Sequence, residues 1–274
     1  MRFDDIARRG LVMLGCGKMG QAMLAGWLES GLPAASVWVL DPHPSDWLTA
    51  RGVHLNDRLP DDPAVAVVAV KPQVMAEALG QLSPLGGGGC LVISVAAGTP
   101  IALFEKVLGK ATRVIRAMPN TPAAVGKGIT AIVGNAAAGA ADADIAEGLL
   151  SAVGQVVRLS DEAQIDAVTG VSGSGPAYVF YMIEALAAAG RAEGLPDDMA
   201  MQLAKATVAG AGALAEVADE PPEQLRRNVT SPNGTTQAGL EVLMDEETGL
   251  APLMRATVAA AAARARELTR ELKG

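Results

Sequence analysis

Residues 11–23 read LVMLGCGKMGQAM, a short apolar run followed at once by Gly15-x-Gly17-x-x-Gly20 and then by helix formers. No other feature narrows the choice of fold as much, because the spacing has a physical reason only at a strand-to-helix turn. There the first glycine permits the tight turn, the second lets the backbone approach a pyrophosphate, and the third lets helix and strand pack closely. Free amides at the helix start then face the phosphates. Such a unit needs further parallel strands beside it. Apolar runs at Leu11–Leu14, Val37–Leu40, Val65–Val70, Cys90–Val95, Arg113–Ala117, Ile129–Val133 and Val156–Leu159 supply them, separated by helical stretches. Unbroken runs such as AVAVVAV imply strands covered on both faces. The GGGG at residues 86–89 reads as a short flexible turn.

Strand signals stop after Ser160. Asp161 is placed to cap a helix, a glycine-serine break follows, and Pro176 sits in the first turn of a new helix. Further helices are expected at Pro196–Val217, Thr236–Glu246 and Ala251–Leu272. The fold class is therefore α/β: a Rossmann-like dinucleotide-binding domain over residues 1–160, then an all-α domain over 161–274. AYVFYMIEALAAAG and MAMQLAKATVAGAGALA are apolar or small on nearly every side, so one surface layer would leave them wet. A homodimer joined through these helices is the expectation.

Composition excludes several classes of partner. A formal charge of −8 argues against nucleic acid and against an anionic membrane surface. Cys16 and Cys90, the only cysteines, are not at metal-ligand spacing and read as small core residues in a reducing compartment. No metal site is expected. No apolar run reaches the roughly 18 residues a membrane span needs, and the opening MRFDDIARRG is no signal peptide. The expectation is a cytoplasmic enzyme.

The second strand ends in VWVLDPHP, which places Asp41 twenty-one residues beyond Gly20. A carboxylate there accepts from the adenosine ribose hydroxyls and repels a 2′-phosphate, so NADH should serve at least as well as NADPH. Three further strands run into VKPQ, SVAAGTP and RAMPNTP, polar loops at the carboxyl edge where open α/β sheets bind ligands.

The chemistry is bounded by what is missing. His43 and His54 are the only histidines, and both lie on the adenosine side, so a histidine-based alcohol dehydrogenase is excluded. A β-hydroxyacid dehydrogenase would need a lysine on the first helix of the second domain; GVSGSGPAYVFYM has none, and Lys205 lies one helix later. A protonated imine, by contrast, is already electrophilic and asks for orientation and a carboxylate anchor. Ser231-Pro232-Asn233-Gly234-Thr235-Thr236 precedes a helix and offers amides and hydroxyls for a small carboxylate. Two alternatives stay open on the residues alone: a β-hydroxyacid dehydrogenase-like oxidoreductase, and a protein that binds NAD(P) without turnover.

Taken in order, GCGKMG, AVKP, SVAAG, RVIRAMPNTP, DAVTGVSGSGPAY and VTSPNGTTQAGLEVL resemble the pyrroline-5-carboxylate reductase family over nearly the whole chain. The resemblance implies hydride transfer from NAD(P)H to the imine carbon of 1-pyrroline-5-carboxylate, giving L-proline. It implies an NAD(P)H site lined by Leu14, Gly15, Cys16, Gly17, Lys18, Met19, Gly20, Asp41, Pro42, Asn56, Ala69, Val70, Lys71, Pro72, Ala96, Ala97 and Gly98. It puts Asn120 near the nicotinamide, and Gly234, Thr235 and Thr236 on the substrate carboxylate. The Thr236 hydroxyl reaches the ring nitrogen and is the catalytic candidate. Dimers of the family commonly assemble further, often into a decamer. Three positions depart from the pattern: Asn233 replaces a common glycine, Asp219 stands roughly where some members place a substrate-binding glutamate, and Asp41 replaces small polar residues.

Overall fold

The structure, a computed structural model, describes residues 3–271. Eight strands form one sheet: β1 (Leu11–Leu14), β2 (Val37–Leu40), β3 (His54–Leu55), β4 (Val65–Val68), β5 (Leu91–Ser94), β6 (Arg113–Met118), β7 (Gly128–Gly134) and β8 (Gly154–Arg158). Their order is β3-β2-β1-β4-β5-β6-β7-β8. All neighbours are parallel except β6 and β7. That exception follows from the chain: the connection through Pro119–Lys127 carries only a 3₁₀ turn, and a parallel neighbour would need a crossover of a dozen residues or more. The seven expected strands are all present, two with the expected bounds and five with an end moved by one or two residues. The two-residue β3 is an addition, too short to show a period in sequence.

The helices are α1 (Asp4–Arg9), α2 (Lys18–Glu29), α3 (Asp46–Thr49), α4 (Met75–Gly80), α5 (Ile101–Leu108), α6 (Ala140–Leu150), α7 (Gln164–Val168), α8 (Gly175–Ala192), α9 (Asp197–Val217), α10 (Pro222–Asn228), α11 (Thr235–Leu243) and α12 (Leu250–Glu271). Short α10 carries no sequence expectation. Residue 272, the expected end of the last helix, lies outside the described residues.

The doubly covered sheet is visible in β1 and β4. Leu11, Met13, Val65 and Val67 point into one core and Val12, Leu14, Ala66 and Val68 into the other, as strand alternation requires. Trp27, fully buried on α2, donates from its indole nitrogen to the Leu149 carbonyl on α6 at 2.8 Å, so its polar atom is not left unpaired. The GGGG turn is hydrogen-bonded by arginines from two other segments. The Gly88 and Gly89 carbonyls accept from Arg113, and Gly89 also accepts from Arg9. Backbone carbonyls that glycine leaves uncovered are open to guanidinium donors.

The chain divides into two compact units, one running to Gly173 and resuming at Ala261, the other spanning Ser174–Ala260. In the first, Ile165 of α7 is buried in the core shared with β5 and β6. In the second, α8 and α9 pack on each other through small residues. A Cβ at Gly190 would meet Leu195 Cδ1 at 3.2 Å and Ala200 Cβ at 3.5 Å. Phe180, Tyr181, Met182, Leu203 and Leu214 stay exposed on the same helices. Little of this unit's apolar surface is covered by its own chain.

Candidate functional site

The carboxyl edge of the sheet is built by loops that hydrogen-bond one another. Gly15 N–H donates to the Leu40 carbonyl at 2.8 Å, Ala69 N–H to Leu14 at 2.8 Å, and Val95 N–H to Val68 at 3.0 Å. The loops after β1, β2, β4 and β5 are thereby stitched side by side. Strand order reverses between β1 and β4, so this edge is the switch point where open α/β sheets hold their ligands.

The three glycines have different reasons to be glycine. Gly15 has φ +80°, and a Cβ there would lie 2.8 Å from Val70 Cγ1 and 3.1 Å from the Ala69 carbonyl oxygen. Gly20 leaves room for its close neighbours, with the Gly15 oxygen 3.2 Å from its Cβ position. Gly17 is unlike either: its φ of −70° suits any residue, and a Cβ would meet nothing within 4 Å. The protein's own packing does not demand glycine at 17. It caps α2 with no side-chain hydrogen bond, so the first amides of a twelve-residue helix face open space. That is room and polarity for a pyrophosphate.

Asp41 sits at the end of β2 with both carboxylate oxygens engaged, one by the Cys16 amide at 2.8 Å and the other by the His43 amide at 2.9 Å. Asn56, at φ +52°, brackets it by donating to the Asp41 carbonyl and accepting from the Asp41 amide. The carboxylate is thus fixed beside the glycine loop rather than swinging in solvent. Burial, and secondarily the Asp41 charge, pushes the Cys16 thiol up to about 12, so it stays protonated and is no nucleophile. Cys90 is likewise pushed up to about 12 by burial.

Beside Asp41 lies a cavity of about 360 Å³ whose walls include Leu14, Leu40, Asp41, Asn56, Val70 and Val74. Five lining residues, Leu14, Asp41, Pro42, Asn56 and Val70, are expected coenzyme residues; Leu40, Val74, Glu77, Ala78 and Gln81 are cavity walls that reading a sequence motif does not reach. The signal for the last four was the i, i+3, i+4, i+7 spacing of one helix face. Lys71 and Pro72 start the turn before α4, and Ala96, Ala97 and Gly98 follow β5.

Asn120, only 8% exposed, is a strut of the β6–β7 loop. Its side-chain oxygen accepts from Ile129 N–H at 2.9 Å and its nitrogen donates to the Ser172 carbonyl at 3.1 Å. Ser172 belongs to a π-helical turn, Thr169–Gly173, which is where the expected glycine-serine break falls. Such turns cost regular hydrogen bonding and cluster at functional sites. Asp161 accepts from Ala163 N–H at 2.8 Å just before α7. The buried Arg116 guanidinium, under the same loops, pairs with Glu162 at 2.6 Å, and the same carboxylate oxygen accepts the first amide of α5 from Ile101 at 2.9 Å.

In the second unit, Ser231–Gly234 forms a turn closed by Gly234 N–H to the Ser231 carbonyl at 3.0 Å. Proline at its second position and Asn233 at its third, with φ +57°, are the signature of a type II turn. Asparagine therefore supplies the left-handed conformation that glycine commonly takes there. The Gln237 side chain accepts from Asn233 N–H at 2.8 Å and donates to Glu241 at 3.0 Å. Gly234 caps α11, so Thr235 and Thr236 are its first two residues, and their hydroxyls make no hydrogen bond among the described residues. Unpaired amides and hydroxyls at one helix start can receive a small carboxylate. Asp219 follows the end of α9, and no hydrogen bond joins it to this loop. Helix α8 carries no lysine. Among the described residues there is no cluster of metal-ligating side chains, and no helix is long and apolar enough to cross a membrane.

Comparison with known proteins agrees with both halves of this geometry. A family model described as NADP oxidoreductase, coenzyme F420-dependent, matches residues 10–98, and one described as pyrroline-5-carboxylate reductase dimerisation matches residues 162–268. Pyrroline-5-carboxylate reductase of Pseudomonas aeruginosa is 39% identical, covering 96% of this chain and 97% of the relative. The enzyme of Pisum sativum is 38% identical, covering 94% and 96%. Among solved structures, a pyrroline-5-carboxylate reductase from Coxiella burnetii superimposes with a TM-score of 0.88 at 35% identity over 95% of this chain and 98% of that one. The Plasmodium falciparum enzyme with NADP bound gives 0.79 at 26% identity over 96% and 99%.

Proposed function

The chain belongs to the pyrroline-5-carboxylate reductase family, and on that premise we propose how its own residues carry out the reduction of 1-pyrroline-5-carboxylate to L-proline. The observation that carries the reading is Gly17: a glycine that neither backbone angle nor packing requires, at the mouth of a helix, in a chain similar to these reductases from end to end. NAD(P)H supplies hydride to an electrophilic carbon. Leu14 to Gly20, Asp41, Pro42, Asn56, Ala69 to Pro72 and Ala96 to Gly98 hold that coenzyme, the α2 amides taking its pyrophosphate. Asn120 stays in reserve as the strut of the loop nearest the nicotinamide, because both ends of its amide are already bonded.

The Gly234–Thr236 turn takes the substrate carboxylate, and the Thr236 hydroxyl reaches the ring nitrogen. No general base is needed, in keeping with a chain whose two histidines lie on the adenosine side. Residues 1–160 act as the NAD(P)H-binding domain and 161–274 as the helical substrate and dimerisation domain. The exposed apolar faces of α8 and α9 support the homodimer that the matched dimerisation model names, and further assembly into a decamer belongs to the same reading. A cytoplasmic enzyme without metal, nucleic acid or membrane partner completes it.

Coenzyme oxidation on addition of 1-pyrroline-5-carboxylate tests the activity. A chain that binds NADH but never oxidises it would overturn the reading. Thr236→Ala removes one hydrogen bond, and kcat/KM for the imine is expected to fall about two- to twelvefold, the range for a neutral bond of about 0.5–1.5 kcal/mol. Kinetics equal to the parent's would remove Thr236 from the site. The pinned Asp41 carboxylate supports NADH being used at least as well as NADPH. Michaelis constants for the two coenzymes on one preparation decide it, and an NADPH preference of about a hundredfold would contradict the role of Asp41.

A further inference from the structure

The cavity beside Asp41 has a second polar wall. Its polar lining is Asp41, Asn56, Glu77 and Gln81, its remaining six residues are apolar, and no lysine, arginine or histidine lines it. Asp41 and Asn56 spend their side chains on the protein's own backbone. Glu77 and Gln81 do not: their side chains make no hydrogen bond or ion pair among the described residues. They stand four positions apart, on one face of α4 and its last turn, so both present to the same side. Apolar walls around a volume of this size suit a purine, and the polar rim is then what the ribose end of an adenosine meets.

We propose that Glu77 is a specificity-determining residue for the coenzyme, a second carboxylate that disfavours a 2′-phosphate from the α4 wall of the cavity. The inference rests on the reading that the adenosine occupies this cavity. A phosphate monoester carries close to two negative charges at neutral pH, and this lining places two carboxylates and no cation against it. An adenosine with free ribose hydroxyls meets no such repulsion. Because Glu77 is exposed, water and salt screen it, and the effect is several-fold rather than orders of magnitude.

The test is calorimetric binding of NAD⁺ and NADP⁺, independent of turnover, to the parent chain, Glu77→Gln, Glu77→Lys and Asp41→Ser. Glu77→Gln is expected to tighten NADP⁺ about two- to fivefold while NAD⁺ stays within about twofold, and the gain should vanish near 0.5 M KCl, where the Debye length falls to a few ångströms. Glu77→Lys should tighten NADP⁺ at least about tenfold at low salt. A change confined to thermal stability, or a salt-independent one, would mean a structural role and defeat the proposal. If both Glu77 variants leave the NADP⁺ to NAD⁺ ratio unmoved while Asp41→Ser shifts it, Glu77 is acquitted of discrimination and the cavity still holds the adenosine. If Asp41→Ser leaves the ratio unmoved too, the adenosine does not bind there and both statements fall.

Discussion

Gly154→Ala is expected to lose on the order of 4 kcal/mol of stability, at the exceptional end for a single substitution. Gly154 pairs with Gly128 across β7 and β8, at φ +145°. An added Cβ would sit 2.0 Å from the Gly128 carbonyl oxygen, 2.5 Å from its carbon and 2.6 Å from its nitrogen. All three are backbone atoms at the start of β7, so no side chain can swing aside. Either β8 leaves the sheet or β7 is pushed onto Ala123, which already lies 3.0 Å from the Gly128 Cβ position. Thermal denaturation should show a midpoint roughly 10 °C lower, using the usual 2–4 °C per kcal/mol for a chain of this size. A midpoint within a degree or two of the parent's would mean that β7 and β8 are not paired in this register.

Gly17→Val is expected to produce the opposite outcome, a folded protein that does not hold its coenzyme. A Cβ at this position meets nothing within 4 Å and the backbone angles suit valine, so the expected stability cost is that of a poorer helix cap, about 1 kcal/mol. The same side chain fills the space through which a pyrophosphate reaches the α2 amides. Losing two hydrogen bonds to a charged group, each about 1.5–3 kcal/mol, weakens NADH binding by at least about a hundredfold. Titration of NADH into the variant measures it, with circular dichroism confirming the fold. Retained affinity would place the pyrophosphate elsewhere. Gly15→Ala makes a useful contrast, since its clash with Val70 and its φ of +80° damage the fold as well as the site.

These two glycines show how unevenly the fold and its candidate site are written in the sequence. Gly17 is legible because three glycines recur at a spacing whose purpose is known and because an apolar strand precedes them. Gly154 is not, since its necessity arises from Gly128, which lies 26 positions earlier in the chain and becomes its neighbour only when β7 and β8 align. Asp41 falls at the expected distance from Gly20, yet its pinning by the Cys16 and His43 amides depends on the β1 and β2 loops coming side by side. Glu77 carries no motif at all and matters only as a cavity wall. Asn233 could be anticipated as a left-handed residue from Pro232 before it and Gly234 after it, because turn conformation is a local property.

The amino-acid order alone determined what local physics controls: seven strands, the strand-to-helix glycine turn, the change to helices after Ser160, and the residue types that suit an imine rather than an alcohol. Those properties are set by side chains within a few positions of one another, through periodicity, capping and allowed backbone angles. Tertiary structure decided the rest: the antiparallel β6–β7 pair, the Arg116–Glu162 contact, the double engagement of Asn120 and the walls of the cavity beside Asp41. Each of these joins residues far apart in the chain, and the free energy that selects them comes from burial and pairing that exist only once the sheet has closed.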